Sequence, residues 1–159
     1  MKYLMLIAAF ILSGCHVTPS SDTSNQAEPT DIVQLIEKAK RRYPEPVRGT
    51  FQIPIKASGF INGVVYLNSD VDYRDPKNIT VVLVPSTVDS FATAYQSPAD
   101  AFFIDKTIQV TGKVERVRKY LYINNKRTKK FYYQTHIKVS SLEQVKLLSS
   151  AKVSKVKPS

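Results

Sequence analysis

The chain of 159 residues has one cysteine, two histidines and no tryptophan. A lone Cys15 leaves no intramolecular disulfide to form. A zinc site draws about three ligands from His, Cys and acids. His16 and His136 fall short of that. A Ser-His-Asp triad could use only His136, and the chain contains no G-x-S-x-G elbow. No catalytic residue, metal ligand or cofactor is therefore assigned, and the expectation is a non-enzymatic protein. Long apolar runs are also missing. The longest, residues 3–12, covers about 15 Å, half of a ~30 Å hydrocarbon core, which is too short to span a bilayer. Heptads and internal repeats are absent. Acidic residues are scarce in the last third: residues 106–159 hold 14 Lys/Arg and 2 Asp/Glu, whereas residues 16–105 hold 8 and 11. The net charge of +10 is thus concentrated toward the C-terminus. Such asymmetry suits an anionic partner, with plain solvation as the alternative.

What is present begins with a targeting signal. Lys2 precedes the short apolar run, and small residues lead to Cys15, the order of a signal peptide. The residues Leu12-Ser13-Gly14-Cys15 resemble a bacterial lipobox. That resemblance implies removal of residues 1–14 and acylation of the Cys15 thiol at the mature N-terminus. Several acyl chains, at ~0.8 kcal/mol per buried CH₂, would hold the protein on a membrane. Residue 16 is His rather than Asp, which resembles outer-membrane lipoproteins. The expected location is the cell envelope, lipid-anchored at the outer membrane and facing the periplasm or the surface.

Residues 15–30 read as a flexible Ser/Thr/Pro-rich tether from lipidated Cys15. An amphipathic helix is predicted over 31–42, with Thr30 or Asp31 as cap and Pro44 as stop. Its apolar stripe should pack on the domain. From Gly49 the period becomes two. Strands are expected over 49–60, 64–69, 79–85, 106–120 and 130–140, with a helix over 86–96 capped by Ser86. Gly112, inside the fourth strand, predicts a bend or bulge. Residues 149–159 read as a basic, unstructured tail. The domain over 31–148 is therefore mainly β: a five-stranded OB-fold-like barrel with one helix before strand 4 and an N-terminal helix.

The stretches "VVYLNSDVDYRDPKNITVVLVP", "DKTIQVTGKVERV" and "YYQTHIKV" resemble a group of secreted bacterial OB-fold proteins. The likeness covers about residues 57–148. It implies the fold and little about activity. Asp105 stands where that pattern has Gly.

Asp70, Asp72, Asp75 and Asn78 have the oxygen chemistry of a calcium loop. An EF-hand, however, needs an acid, a Gly and a Glu where Arg74, Asp75 and Val81 stand. Asx-turns are the expected use of these acids. The candidate ligand site is the surface that OB-folds present between their first and last loops. Arg116, Arg118, Lys119, Lys126, Arg127, Lys129 and Lys130 supply its charge. Tyr66, Tyr120, Tyr122 and Tyr132 supply stacking faces. Asn124 and Asn125 mark the turn of a long basic hairpin. The expected partners are the membrane, through the lipid, and an anionic phospholipid, lipopolysaccharide or envelope protein. Nucleic acid and a structural place in an envelope or secretion assembly are the alternatives. Lysines that merely protect a sheet edge would look the same in sequence.

Overall fold

The computed structural model describes residues 29–148. The expected signal peptide, Cys15, most of the expected tether and the expected basic tail lie outside the described residues. No described helix is long and apolar enough to cross a membrane.

Helix α1 (Ile32–Arg42) starts at Asp31, whose side chain accepts from Gln34 N–H. Its Leu35 and Ala39 are buried, so the apolar stripe packs on the sheet. Strands β1 (Val47–Pro54), β2 (Ala57–Ile61), β3 (Val64–Asn68) and β4 (Ile79–Leu83) follow. Then come α2 (Pro85–Tyr95), α3 (Ala99–Phe102), β5 (Thr107–Ile123), β6 (Lys126–Val139), a 3₁₀ turn (Leu142–Gln144) and β7 (Val145–Leu147).

The strand order is β1-β5-β6-β4-β3-β2, with β7 beside β5. All pairs are antiparallel except β4 with β6. The two ends of this path are consecutive in sequence, because only Ile55 and Lys56 separate β1 from β2. Ile55 N–H donates to Lys106 O at 2.8 Å, whereas Lys56 N–H donates to Asn68 O at 2.8 Å. One residue faces the β5 side and the next faces the β3 side. The sheet therefore curls back on itself.

The expectation of five strands is corrected to seven. The corner at Ile55–Lys56 divides one expected strand in two, and the closing segment adds β7. The single helix before the fourth expected strand is likewise two, α2 and α3. Its cap is Val84 rather than Ser86. Pro85 occupies the first turn, where it is pre-set for helix and has no N–H to satisfy. The Val84 carbonyl takes Thr87 N–H and Val88 N–H at 2.9 and 3.0 Å.

Inward-facing Ile53, Val65, Leu67, Ile79, Val81, Ile108, Val110, Val114 and Ile137 form the core. Gly112 pairs with Gly49 of β1 in an unbroken register, so the expected bulge is not there; it lies between the residues of β5 that pair with β7 and those that pair with β6. A Cβ there would lie 3.2 Å from Ile137 Cγ2, so the glycine makes room for the core. Asp105 adopts φ +60°. This left-handed conformation costs most side chains roughly 1–2 kcal/mol. Asp105→Gly is expected to raise stability by about 0.5–1 kcal/mol, read as a rise in the denaturation midpoint.

Candidate functional site

The site is built on the β5–β6 hairpin. Its turn, Asn124–Asn125, has both residues at positive φ, the geometry that matches strand twist in a two-residue hairpin. Both strands run to the turn. A bulge between Tyr120 and Tyr122 interrupts the register.

Alternation sorts the hairpin into two faces. On one, Val114–Ile137, Arg116–Thr135, Arg118–Tyr133 and Tyr120–Phe131 are opposed. The first of these pairs is buried core. Farther out, the same face becomes a ladder of cations and rings. The Arg116 guanidinium lies 3.8 Å from the Tyr133 ring and 6.0 Å from Tyr43, the C-cap of α1. Arg118 lies 4.8 Å from Phe131 and 5.9 Å from Tyr133. Arg127 lies 3.8 Å from Tyr120. The rings themselves meet edge-on at 5.8, 5.6 and 6.1 Å. Each exposed cation–π contact contributes about 0.5–1 kcal/mol, so the ladder stiffens a hairpin that projects from the sheet. Arg118 also donates to the Tyr120 hydroxyl at 3.5 Å, which lowers the pKa of Tyr120.

The second face carries Glu115–His136, Val117–Gln134 and Lys119–Tyr132. It continues across β4 and β3, whose inward residues leave Thr80, Tyr66 and Asn68 pointing outward. A cleft of roughly 470 Å³ opens on this surface. Tyr66, Lys119, Tyr120 and Tyr132 line it, with Asn68, Thr80 and Gln134 as polar groups and Tyr73 and Ile61 at its margins. Among the described residues, no carboxylate lines it. A larger recess of about 650 Å³, bounded by Arg48, Lys113, Glu115 and Lys138, carries no aromatic ring and offers no stacking face.

The candidate residues are thus divided three ways. Tyr66, Lys119 and Tyr132 meet in the cleft; Tyr120 borders it, but its ring is stacked in the ladder. Arg116, Arg118 and Arg127 are stacked along the ladder. Tyr122, Lys126, Lys129 and Lys130 are exposed toward the tip. Among the described residues, no hairpin cation is ion-paired with a carboxylate. Asn68, Thr80, Gln134 and Tyr73 were not singled out from sequence. Alternation alone places the first three outward; Tyr73 arrives through the 70–78 loop.

That loop uses its acids locally. Carboxylates of Asp70, Asp72 and Asp75 accept from the N–H two residues ahead, at 3.2, 2.9 and 2.7 Å. These are the expected Asx-turns. Asn78, almost fully buried, ties the loop to the sheet. Its amide donates to Asn68 Oδ1, Thr80 Oγ1 and the Tyr73 carbonyl, and its oxygen accepts from Asp70 N–H. The Gln134 amide also donates to the Tyr73 carbonyl, at 3.1 Å. That turns Gln134 Oε1 toward His136 Nε2, 2.9 Å away, so the neutral imidazole donates from Nε2. Burial, aided by the nearby Lys119 charge, pushes the His136 pKa down to about 4.

No protein-family model and no curated protein matches the chain. Among solved structures it is similar to an aspartyl tRNA synthetase from Entamoeba histolytica, with 17% identity and a TM-score of 0.46. The match covers 95% of this chain and 28% of that one. At that score the likeness lends this chain neither a fold assignment nor an activity.

Proposed function

We propose that this chain is a non-enzymatic binding module of the cell envelope. Lipid on Cys15 holds it to the outer membrane, and a barrel of OB type presents the cleft to an anionic ligand. Support for the barrel comes from the pairing: with β1 and β2 counted as one bent strand and β7 set aside, five strands close in OB order. The observation that carries the ligand reading is the cleft. It gathers Lys119 with Tyr66 and Tyr132, and among the described residues no carboxylate lines it. The ammonium would hold a phosphate while the rings pack on the sugar or chain that carries it. The phosphorylated sugars of lipopolysaccharide have this chemistry.

Titration calorimetry with lipopolysaccharide tests it. Lys119→Glu is expected to weaken binding about 10–100-fold, the equivalent of one lost charged hydrogen bond. Tyr132→Ala is expected to weaken it by roughly the lower of those factors. Unchanged affinity in both variants would sink the reading. A second reading, single-stranded nucleic acid, draws on the tyrosines around the cleft, since bases stack on such faces. It predicts a log–log salt slope near −0.7 per neutralised phosphate.

A further inference from the structure

The hairpin tip carries a combination that the cleft does not use. Leu121, Tyr122 and Ile123 are consecutive and 41, 64 and 64% exposed. A strand cannot turn three successive side chains toward one core. Here the tip stands beyond the sheet, and the three remain in solvent. Exposed apolar residues on a soluble surface mark a place that something else covers. Around them, Lys126, Lys129 and Lys130 are exposed, and among the described residues none is ion-paired with a carboxylate. The nearest acid along the hairpin is Glu115, well down β5 toward the barrel. Apolar tip, amphipathic tyrosine and long flanking lysines are the chemistry of a bilayer interface. The ladder of Arg116, Arg118 and Arg127 on aromatic rings pre-stiffens the element.

We infer that the β5–β6 hairpin tip is a membrane-docking device: Leu121, Tyr122 and Ile123 enter the interface of an anionic phospholipid bilayer while Lys126, Lys129 and Lys130 engage its headgroups. Charge complementarity selects the occupant. A protein groove would have to supply acids for three lysines, whereas an anionic leaflet supplies them without a specific fit. The inference rests on the proposed attachment to a membrane, and uses tip residues rather than the cleft. Residues 16–30, fully extended, reach up to about 50 Å, so the tip could meet the bilayer that holds Cys15. Two contacts, lipid and hairpin, would orient the barrel where one would leave it to tumble.

The absence of tryptophan supplies the test. Tyr122→Trp makes a unique reporter, and Tyr95→Trp on α2 makes a reference. Each mature protein, purified from membranes, is reconstituted in vesicles containing brominated lipid. Mass spectrometry of the same samples reads the modification of Cys15. That mass tests the anchor, and the fluorescence tests the tip whatever the mass is. The tip reporter is expected to shift to the blue and be quenched in vesicles rich in phosphatidylglycerol. In purely zwitterionic vesicles it should not, and the reference should stay in water in both. Changing the three lysines to Gln is expected to lower the ratio of docked to free tip about 100-fold. Equal quenching of both reporters, or indifference to lipid charge, would overturn the inference. So would a tip reporter that responds to a single-stranded oligonucleotide and ignores the bilayer.

Discussion

Replacing Asn78 by alanine is expected to destabilise the domain by about 3 kcal/mol, because the loss leaves several buried polar groups short of partners. Asn78 is 3% exposed and joins five groups. Its amide donates to Asn68, Thr80 and the Tyr73 carbonyl; its oxygen accepts from Ser69 and from Asp70 N–H. Some partners keep a second bond. Thr80 still donates to Asn68 at 2.9 Å, and Gln134 still reaches the Tyr73 carbonyl. Asp70 N–H has no such substitute. The melting temperature should fall by ~10 °C. Amide hydrogen exchange over residues 70–78 should rise more than in α1, since the loop loses its tie to the sheet. A cost under about 1 kcal/mol would mean that water replaces the amide. The cleft is involved because Asn68, Thr80 and Tyr73 line it. The variant should therefore weaken ligand binding as well.

Stability is expected to fall as pH drops from about 6.5 to about 4, and His136 is the source. In the folded protein its pKa is lowered to about 4, chiefly by burial and then by Lys119. In the unfolded chain it takes the ordinary value near 6.5. Between those values the unfolded state binds a proton that the folded state does not. The slope of stability with pH is then positive, so stability is whole above pH ~6.5 and is lost on acidification. The full loss is about 3 kcal/mol at pH 4. Denaturant melts of wild type and His136→Gln, at pH values from 7 to 4, isolate the effect. Other groups titrate alike in both proteins, so the difference belongs to the histidine. His136 is the only histidine in the described residues, and the other, His16, lies before the domain. Parallel stability curves for the two proteins would show that the imidazole ionises freely in the fold. The proposed anionic ligand should lessen the loss, because its negative charge beside Lys119 also stabilises a proton on the neighbouring His136.

Much of this architecture is legible in residues. Period-two alternation in Phe131–Val139 separates Tyr133, Thr135 and Ile137 from Tyr132, Gln134 and His136, and the register bears this out. Asn124-Asn125 reads as a two-residue turn because asparagine tolerates positive φ. The acids of 70–75 read as Asx-turns. These are local signals, carried by one residue and its near neighbours.

The division of the basic segment could not be read that way. In sequence, Arg116, Arg118, Lys119 and Arg127 are one cluster of charge. In the fold, Arg118 and Lys119 point to opposite faces, one to the rings of Phe131 and Tyr133 and one to the cleft. Which ring an arginine meets depends on cross-strand register, and the bulge at Tyr120–Tyr122 shifts it. The corner at Ile55–Lys56 was only partly visible: Pro54 suits an edge or a bend, but nothing local fixes the change of partner. Alternating apolar residues run straight through it, and only the positions of β3 and β5 make the chain change partners there.

The sequence by itself determined the strand faces, the turns and the charge asymmetry. All of these follow from short-range periodicity and backbone preference. The curl of the sheet, the arginine–aromatic ladder and the cleft were decided by tertiary structure. Each depends on residues far apart in the chain, brought together by register and curvature that no local pattern encodes.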